Sequence, residues 1–492
     1  MGPDLADSRT VTKLGRPGLA LLSCVGLVAV AALAGCGSQS QALKTVERER
    51  STDTNVPFKG CDKVKCTGEL GGAPYEIKLP TKWNGTLIIY SHGYRFTEPV
   101  PPAFAPVDRT ALPAAGNELA DQLVSQGYAL AGSAFKTNGW DVLDGVAAGE
   151  QLHAFFLKNV GNPDRVYVTG DSLGGLITET LAQKHPEWVS GSAPFCGVLG
   201  GTNLNLDLAL DVAYAVKTLI YPDLKLTGFA SNDEAVQNWQ GAYAAITKAG
   251  GDVANGVPKI LLVAALVDSP AQTKTYDGST IESQVRARAE SILTALGYGT
   301  YGRYDIEQRV GGNPSGNDKA DYAGRVSNEE RSLIDLVSPG ATDRLLTQLD
   351  SGQRVTADSA ARAAADKLGN PTGRIDDPTI TMHTKSDPLV LVQNEVVFRD
   401  RVDAATTTRK ADLVQLYTLP PATYSPQTGA PYGAGHCNFT TPQRLGVLTL
   451  LDNWVRRGAI PAGEGITKAF GGDPSVSQVY SPGPWPAPVP AN

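Results

Sequence analysis

The stretch Arg165-Val-Tyr-Val-Thr-Gly-Asp-Ser172-Leu-Gly-Gly175 decides the fold predicted for this chain. A short apolar strand ends in Gly170-x-Ser172-x-Gly174, and a predicted helix over 173–184 follows at once. In this context a tight turn presents a serine above the end of a sheet, and the helix behind it favours negative charge. Gly170 and Gly174 leave the room that such a turn needs. Ser172 is therefore the candidate nucleophile, although glycine supplies 53 of 492 residues and the pattern needs partners.

Length, composition and charge describe an ordinary globular protein. A chain of 492 residues can form two or three domain-sized units. Hydrophobic residues make up 41% and charged residues 19% of the chain. Residues 1–35 carry three basic and two acidic side chains, so their removal moves the formal net charge from −7 to −8. An acidic chain without a basic patch argues against nucleic-acid binding.

The N-terminus has the pattern of an export signal. Three basic side chains precede an apolar run over 19–34, and they are Arg9, Lys13 and Arg16. A basic region, a short apolar run and small residues are typical of a secretory signal, which we place at 1–35. A permanent spanning helix is disfavoured because the run is short and is interrupted by Ser23 and Gly26.

The end of this signal, Leu33-Ala-Gly-Cys36, resembles a bacterial lipobox. The resemblance implies cleavage before Cys36 and lipids on that cysteine, which would anchor the protein to the outer side of the cell membrane. An ordinary cleaved signal, with a fully secreted product, is the alternative. Residues 36–56 are polar and predict a flexible tether.

Export also changes the interpretation of the cysteines. Cys24 leaves with the signal, and four cysteines remain after the anchor position: Cys61, Cys66, Cys196 and Cys437. An even number in an oxidising compartment favours disulfides, and four cysteines permit three pairings. We favour Cys61–Cys66 and Cys196–Cys437. A metal site at the first pair is the rival interpretation, but no nearby histidine or second cysteine pair completes a ligand set.

Strands alternate with helices through the first part of the chain. An edge strand is predicted over 73–80, and further strands over 86–90, 128–134, 165–170 and 189–195. Helices are predicted over 117–126, 142–159 and 173–184. This alternation indicates βαβ units and a mostly parallel sheet with helices on both faces.

The alternation stops after residue 197 and resumes near residue 379. The intervening chain is helical and rich in loops, and the pattern then predicts a strand over 379–384, a helix over 390–405, a strand over 413–418 and a helix over 441–457. We therefore divide one α/β domain into 57–197 and 374–458, separated by a helical insertion over 198–373. The Pro-rich tail, 459–492, lacks periodicity from Gly471 onward and is predicted to be extended or disordered.

The base that a nucleophilic serine needs can be sought by elimination, because the chain has five histidines. His92 precedes Gly93 in a loop suited to shaping an oxyanion site. The other three rejected histidines lie in a helix, at a helix end and inside a strand, and they are His153, His185 and His383. Only His436 lies in a glycine-rich loop past the last strand of the α/β pattern, so we predict it as the general base.

The orienting acid should follow a strand that lies between the serine and the base. Asp387 does so, after the strand over 379–384 and before a predicted helix, although helix capping is the alternative explanation. Weaker rivals lie before that strand or inside a helix, and they are Asp376, Asp377 and Asp403. The order Ser172, Asp387, His436 is the one found in α/β-hydrolases.

An oxyanion site needs two hydrogen-bond donors. One should be the backbone N–H of Leu173, directly after the serine. The second is expected from the loop Ser91-His92-Gly93-Tyr94, where we predict the N–H of Tyr94. Trp140, in a loop after a strand end, either lines the substrate pocket or is a packed loop residue.

Together these residues carry a resemblance to the α/β-hydrolase superfamily, at Ser91–Tyr94, Gly170–Gly174, Asp387 and His436. The resemblance covers about residues 57–197 and 375–458. It implies a mainly helical cap at 198–373, inserted after the strand that follows the nucleophile helix. Some fungal tannases and feruloyl esterases bridge a cysteine after the histidine to one immediately before the serine. Here Asp171 occupies that preceding position, so that assignment does not follow.

The resemblance implies a serine hydrolase without a cofactor or metal. Together with the export signal it leads to the first hypothesis, an exported enzyme that cleaves carboxylic esters, small or polymeric. A peptidase or amidase of the same fold is the runner-up, with Glu329 and Glu330 as candidates for binding a peptide amino terminus. A non-catalytic binding lipoprotein is the third possibility, disfavoured because all triad positions are filled. Substrate and oligomeric state are not predicted, because pocket shape in the cap decides the former.

Overall fold

A computed structural model of the chain describes residues 65–101, 103–405, 413–425 and 433–488. The predicted signal, 1–35, the predicted lipidation site Cys36 and the predicted tether, 36–56, lie outside the described residues. Cys61 also lies outside them, so its predicted bridge to Cys66 stays a prediction.

The described residues form one sheet of nine strands. In chain order they are β1 (Lys65–Leu70), β2 (Ala73–Lys78), β3 (Thr86–Ser91), β4 (Ala129–Ser133), β5 (Arg165–Asp171), β6 (Gly191–Phe195), β7 (Thr379–Thr384), β8 (Leu413–Thr418) and β9 (Val476–Ser477). Across the sheet they follow the order β1-β2-β4-β3-β5-β6-β7-β8-β9. Neighbours from β4 to β8 run parallel, whereas β1, β2 and β9 pair antiparallel.

Every strand predicted from the sequence is present, but one position was wrong. The segment expected at an edge is β2, which pairs with β1 on one side and β4 on the other. β1 joins it through Gly71 and Gly72, whose φ angles of 57° and 85° suit a two-residue hairpin turn. This Gly-Gly pair is the sequence signal for the missed strand, because β1 itself has no apolar alternation.

Helices cover both faces of the sheet and form the region between β6 and β7. They are α1 (Asn117–Ser125), α2 (Val142–Asn159), α3 (Leu173–Lys184), α4 (Thr202–Leu219), α5 (Asn232–Gly251), α6 (Gly256–Leu266), α7 (Ile281–Gly299), α8 (Tyr301–Val310), α9 (Asn328–Val337), α10 (Ala341–Ser351), α11 (Ser359–Asp366), α12 (Asn394–Ala405), α13 (Thr441–Arg457) and α14 (Glu464–Ala469). The helix predicted over 390–405 begins later, at Asn394. The N–H groups of Leu389 and Val390 donate to the side chain of Asp387, which holds this part of the backbone in a turn.

The alternation of side chains in β3 shows why both faces are covered. Leu87 and Ile89 point into the cluster formed with α2 and α3, whereas Ile88 points into the cluster formed with α1 and α13. All three are at most 1% exposed. A strand buried on both faces needs this continuous apolar run.

Helices α4 to α11 form the predicted helical insertion, here called the cap. The cap has an apolar cluster of its own, in which Leu210, Ile260 and Leu296 are fully buried. Within the described residues no single helix is long and apolar enough to cross a membrane. Taken together, α5 and α6 would be long and apolar enough, but the two helices are bent by 119° relative to each other.

The tail is more ordered than the sequence predicted. β9 pairs with β8, and Trp485 is 7% exposed within the apolar cluster of the cap. A strand of two residues and a single buried tryptophan are too short to produce an apolar periodicity in the sequence, so the pattern did not predict them. The strand order, with the serine turn after the central strand β5, confirms the predicted α/β-hydrolase fold.

Candidate active site

Ser172 lies in a strained turn between β5 and α3. Its φ and ψ are 60° and −121°, a conformation that non-glycine residues rarely adopt. The turn is crowded, because a Cβ on Gly174 would lie 2.1 Å from the backbone oxygen of Ser91 and one on Gly170 would lie 2.4 Å from that of Gly174. These close backbone contacts explain why the turn requires glycine at both positions, as the sequence predicted. Ser172 also lines the largely apolar cavity between the sheet and the cap.

His436 and Asp387 are in direct contact. The Nδ1–H of His436 donates to Oδ2 of Asp387 at 2.8 Å, and the other carboxylate oxygen accepts from the N–H groups of Leu389 and Val390 at 2.9 and 3.0 Å. Burial by itself would raise the pKa of Asp387, but the charge and hydrogen bond of His436 hold it below its usual range. The carboxyl group therefore stays ionised and acts as the acceptor for the imidazole.

The loops that carry the acid and the base are joined through their backbones. The N–H of Ser386 donates to the carbonyl of Gly433 at 2.9 Å, and the N–H of Gly435 donates to the carbonyl of Ser386 at 2.8 Å. The Thr384 hydroxyl adds a hydrogen bond to the Gly435 carbonyl at 2.9 Å. These contacts fix His436 relative to Asp387 along the parallel strands β7 and β8.

The predicted disulfide between Cys196 and Cys437 is present. Cys196 directly follows β6, and the carbonyl of Phe195 accepts the N–H of Ser172 at 2.9 Å. Cys437 directly follows His436. The bridge therefore connects the loop of the base to the backbone that holds the serine turn.

The serine and the imidazole are not hydrogen-bonded to each other. Within the described residues the Ser172 hydroxyl makes no hydrogen bond of 3.5 Å or less, and Sγ of Cys437 lies 3.5 Å from Nε2 of His436. Hydrogen bonds at such sites are often long until substrate binds. Among the described residues, the N–H groups of Leu173 and Tyr94, the two predicted oxyanion donors, donate to no protein acceptor.

The structure places the two predicted pocket residues differently. Trp140 lines the cavity, and its indole N–H donates to the Thr202 hydroxyl at 3.0 Å. His92 does not line it, because its ring stacks on Phe135 at 3.9 Å between centroids. Burial lowers the pKa of His92 to about 3, so this imidazole is neutral.

The cavity beside Ser172 has a volume of about 60 Å³. Three aromatic rings form one wall, with Tyr94 and Tyr298 at 5.2 Å between centroids and Trp140 at 6.3 Å from each. Much of the rest is aliphatic side chains of α4 and of residues 388–391. No charged side chain from the described residues lines the cavity, so its walls favour an uncharged, mainly apolar group.

A cluster of charged groups fixes the cap to the loop of Trp140. Asp305 on α8 accepts the N–H of Trp140 at 2.8 Å and binds Arg309 at 2.9 Å. Arg309 reaches Asp141 at 3.0 Å and also donates to the carbonyl of Asn138. These contacts hold the aromatic wall in place.

Sequence reasoning missed a buried ion pair beside the serine. Asp171 binds Arg444 of α13 at 2.6 Å and accepts a hydrogen bond from the Tyr90 hydroxyl at 3.0 Å. The guanidinium also lies over the rings of Phe195 and Phe439, at 4.9 and 5.4 Å. The two charges are 273 residues apart in the chain, and no local pattern signals the pair.

The remaining candidates from the sequence, the two glutamates of α9 and a metal site, do not form part of the cavity lining. Glu330 forms a two-fold ion pair with Arg288 at 2.6 and 2.7 Å, Glu329 is exposed, and neither lines the cavity. Among the described residues, three metal-ligating atoms come together only at Cys196, His436 and Cys437. The two sulfurs are bonded to each other, so neither is a thiolate that could bind a metal.

No protein-family model matches the sequence, and no curated protein matches it. Solved structures similar to this one include an esterase from Aspergillus oryzae, with 14% identity over 84% of this chain and 85% of that chain and a TM-score of 0.38. Feruloyl esterase B from Aspergillus oryzae has 14% identity over 80% of each chain and a TM-score of 0.35. Proline iminopeptidase from Mycobacterium smegmatis has 10% identity over 82% of this chain and 98% of that chain and a TM-score of 0.32.

These similarities are too weak to carry an argument about activity. The fold follows instead from the strand order, the parallel pairing from β4 to β8, and the strained serine turn that joins β5 to α3. On those features the chain has the α/β-hydrolase fold, with a helical insertion between β6 and β7.

Proposed function

We propose that the protein is an exported serine hydrolase that cleaves carboxylic esters through an acyl-enzyme on Ser172. The observation that carries this proposal is the buried pair of His436 and Asp387, which two independent connections hold in place: the disulfide from Cys437 to Cys196 and the backbone bridge between residues 386 and 434, which joins the two loops. A histidine with a purely structural role would not need two such connections, and Ser172 lines the apolar cavity in a strained turn.

The proposed reaction follows from the hydrogen-bond donors and acceptors of the site. His436 carries its proton on Nδ1, toward Asp387, so Nε2 has the free electron pair that removes the Ser172 proton. The Ser172 oxygen attacks the ester carbonyl, and the N–H groups of Leu173 and Tyr94 bind the oxygen that becomes negative. The imidazolium then protonates the leaving alcohol, and a water repeats the sequence on the acyl-enzyme.

The apolar cavity favours an ester over a peptide with a free amino terminus. A peptide ammonium group needs a carboxylate that is not already neutralised. Glu330, the candidate nearest this role, is neutralised by Arg288, and the cavity lining offers no acidic side chain. An uncharged acyl or alcohol group fits this lining without such a partner.

A short-chain aryl ester assay tests the proposal, with Ser172→Ala as the decisive variant. We expect turnover by the wild type and a loss of at least about 10³-fold in Ser172→Ala. Ser269→Ala is the matched control, because Ser269 lines the same cavity and should leave the rate within about 3-fold of wild type.

Labelling with a fluorophosphonate probe separates the nucleophile from substrate preference. Wild type should be labelled and Ser172→Ala should not. Unchanged ester turnover in Ser172→Ala would refute the nucleophile, and peptide turnover without ester turnover would favour the peptidase. No labelling and no turnover would favour the non-catalytic alternative.

Export and lipid anchoring belong to the same proposal. The Cys196–Cys437 disulfide supports an oxidising compartment, where such bridges persist. Mass spectrometry of the mature N-terminus should find a lipid-modified Cys36. A mature chain that begins elsewhere and is found in the medium would favour the fully secreted alternative.

A further inference from the structure

His383 is a buried histidine that the proposed reaction does not use. It lies in β7, four residues before Asp387, and its side chain is fully buried. Its Nδ1 lies 3.2 Å from a carboxylate oxygen of Glu395 on α12, and its Nε2 lies 2.9 Å from the carbonyl of Val390. Nε2 also lies 3.7 Å from Oδ2 of Asp387, the oxygen that binds His436.

The contacts of this ring favour a positive charge. Nε2 faces the carbonyl of Val390, which can only accept, and Nδ1 faces a carboxyl oxygen of Glu395. When Glu395 is the carboxylate, both ring nitrogens carry a hydrogen, which is the imidazolium form. Glu395 is fully buried as well, and its second oxygen accepts hydrogen bonds from Thr381 and Gln415 at 2.5 and 2.7 Å. Burial by itself lowers the pKa of His383, but Glu395 and Asp387 raise it above its ordinary value.

Other titratable groups lie near His383 and Glu395, but none of them is the cation that faces the two carboxylates. Glu179 on α3 is buried, and burial raises its pKa to about 7. Tyr417 on β8 lies opposite His383 in the sheet, and burial raises its pKa too. His436 approaches Asp387 from the other side. His383 is therefore the cation between two buried carboxylates.

We propose that His383 is a positioning residue for the triad: as a buried imidazolium between Glu395 and Asp387, it keeps the Asp387 carboxylate ionised and directed at His436. This inference rests on the proposed function, because it assigns a role relative to that reaction. A protonated Asp387 would lose its acceptor toward Nδ1–H, and the tautomer that frees Nε2 would no longer be favoured.

Two substitutions with different charge consequences test the role in the full chain. His383→Gln leaves Glu395 uncompensated and should move the acidic limb of the kcat/KM profile for an aryl ester upward by about one pH unit. Glu395→Gln leaves a cation and should give no upward shift. Both variants should lower kcat by about 10-fold or more with little change in KM, because substrate does not contact either residue.

His153→Gln is the matched control, because His153 lies in α2, stacks on Trp188, and should leave both limbs of the profile unchanged when it is replaced. If His383 had a purely structural role, both variants would lose stability or kcat. The acidic limb of the kcat/KM profile would then not shift in His383→Gln alone. Equal upward shifts in His383→Gln and Glu395→Gln, or no shift in either, would overturn the proposal.

A second measurement does not depend on activity or on a folded variant of His383. In ¹⁵N-labelled Ser172→Ala protein, both ring nitrogens of His383 should stay protonated at about pH 8, above the ordinary range for histidine. A neutral His383 at that pH would overturn the inference even in an active enzyme. A doubly protonated His383 in a wild-type chain without ester turnover would support the buried charge and refute only the proposed function.

Discussion

Replacing Arg444 with methionine should destabilise the protein strongly. The Arg444–Asp171 pair is buried, with side chains 8% and 1% exposed and charged atoms 2.6 Å apart. Methionine keeps most of the apolar contact with Phe195 and Phe439 but removes the charge. Asp171 would then keep the Tyr90 hydroxyl as a side-chain partner, which does not compensate a buried carboxylate.

The expected size follows from this burial. Removing one partner of a buried ion pair costs about 3–5 kcal/mol, whereas removing both partners is often close to neutral. Arg444→Met should therefore lower the free energy of unfolding by about that amount, a large part of the stability of an ordinary domain. Asp171→Asn/Arg444→Met should recover most of the loss, because no uncompensated charge remains.

Urea unfolding followed by tryptophan fluorescence measures both variants. Arg456→Met is the control in the same helix, because Arg456 pairs with Asp452 at 36% exposure and should cost at most about 1 kcal/mol. The ester assay adds a second readout: kcat should fall about 10-fold or more in Arg444→Met, since the residue before Ser172 loses its fixed partner. If Arg444→Met costs no more than Arg456→Met, or if the double variant is no more stable than the single one, the reasoning is refuted.

Three further predictions concern the disulfide, a buried acid and the cavity. Cys196→Ser/Cys437→Ser opens a bridge between residues 241 positions apart and should cost about 2–5 kcal/mol in urea unfolding and lower kcat; wild-type stability and rate would contradict a role in alignment. Glu179 has a pKa raised by burial from 4.5 to about 7, so its contribution to stability is present at low pH and is lost as pH rises through about 7. Unfolding at about pH 5 and about pH 8 should show most of that loss, about 2.5 kcal/mol, in wild type and not in Glu179→Gln. Ala295→Leu narrows the cavity and should lower kcat/KM for longer acyl esters relative to acetate by about 10-fold; an unchanged ratio would place the acyl group elsewhere.

Local sequence patterns predicted the regular elements closely. The bounds of α2, α3, α13, β7 and β8 agree with the structure, because apolar periodicity and end signals lie within each segment. α13 is an example: Thr440 and Gln443 form a capping box at its start, and Gly458 ends it with a φ of 68°. The predictions for Ser172, Asp387 and His436 came from the same local patterns, since each residue follows a strand of the mainly parallel sheet.

Contacts between distant segments could not be predicted in this way. His383 was taken only as a strand residue, although Asp387 is four positions away, because its other partner, Glu395, comes from α12. The pairing of Asp171 with Arg444 and the burial of Trp485 in the cap are equally non-local. An alternation pattern shows which face of a strand is buried, but it does not show which charged side chain lies opposite.

The distribution of these non-local contacts explains how a strained site is kept in order. The Ser172 turn adopts an unfavourable φ, and the loops of Asp387 and His436 have no regular structure of their own. Alignment of three such groups requires errors well below about 1 Å, which single loops do not hold. The disulfide, the Arg444–Asp171 pair and the backbone bridge at residue 386 each join a different pair of segments around Ser172. Each of the three contacts therefore restrains a pair of segments that the other two do not. The unfavourable backbone conformation of Ser172 is maintained by these surrounding contacts together, and not by the turn alone.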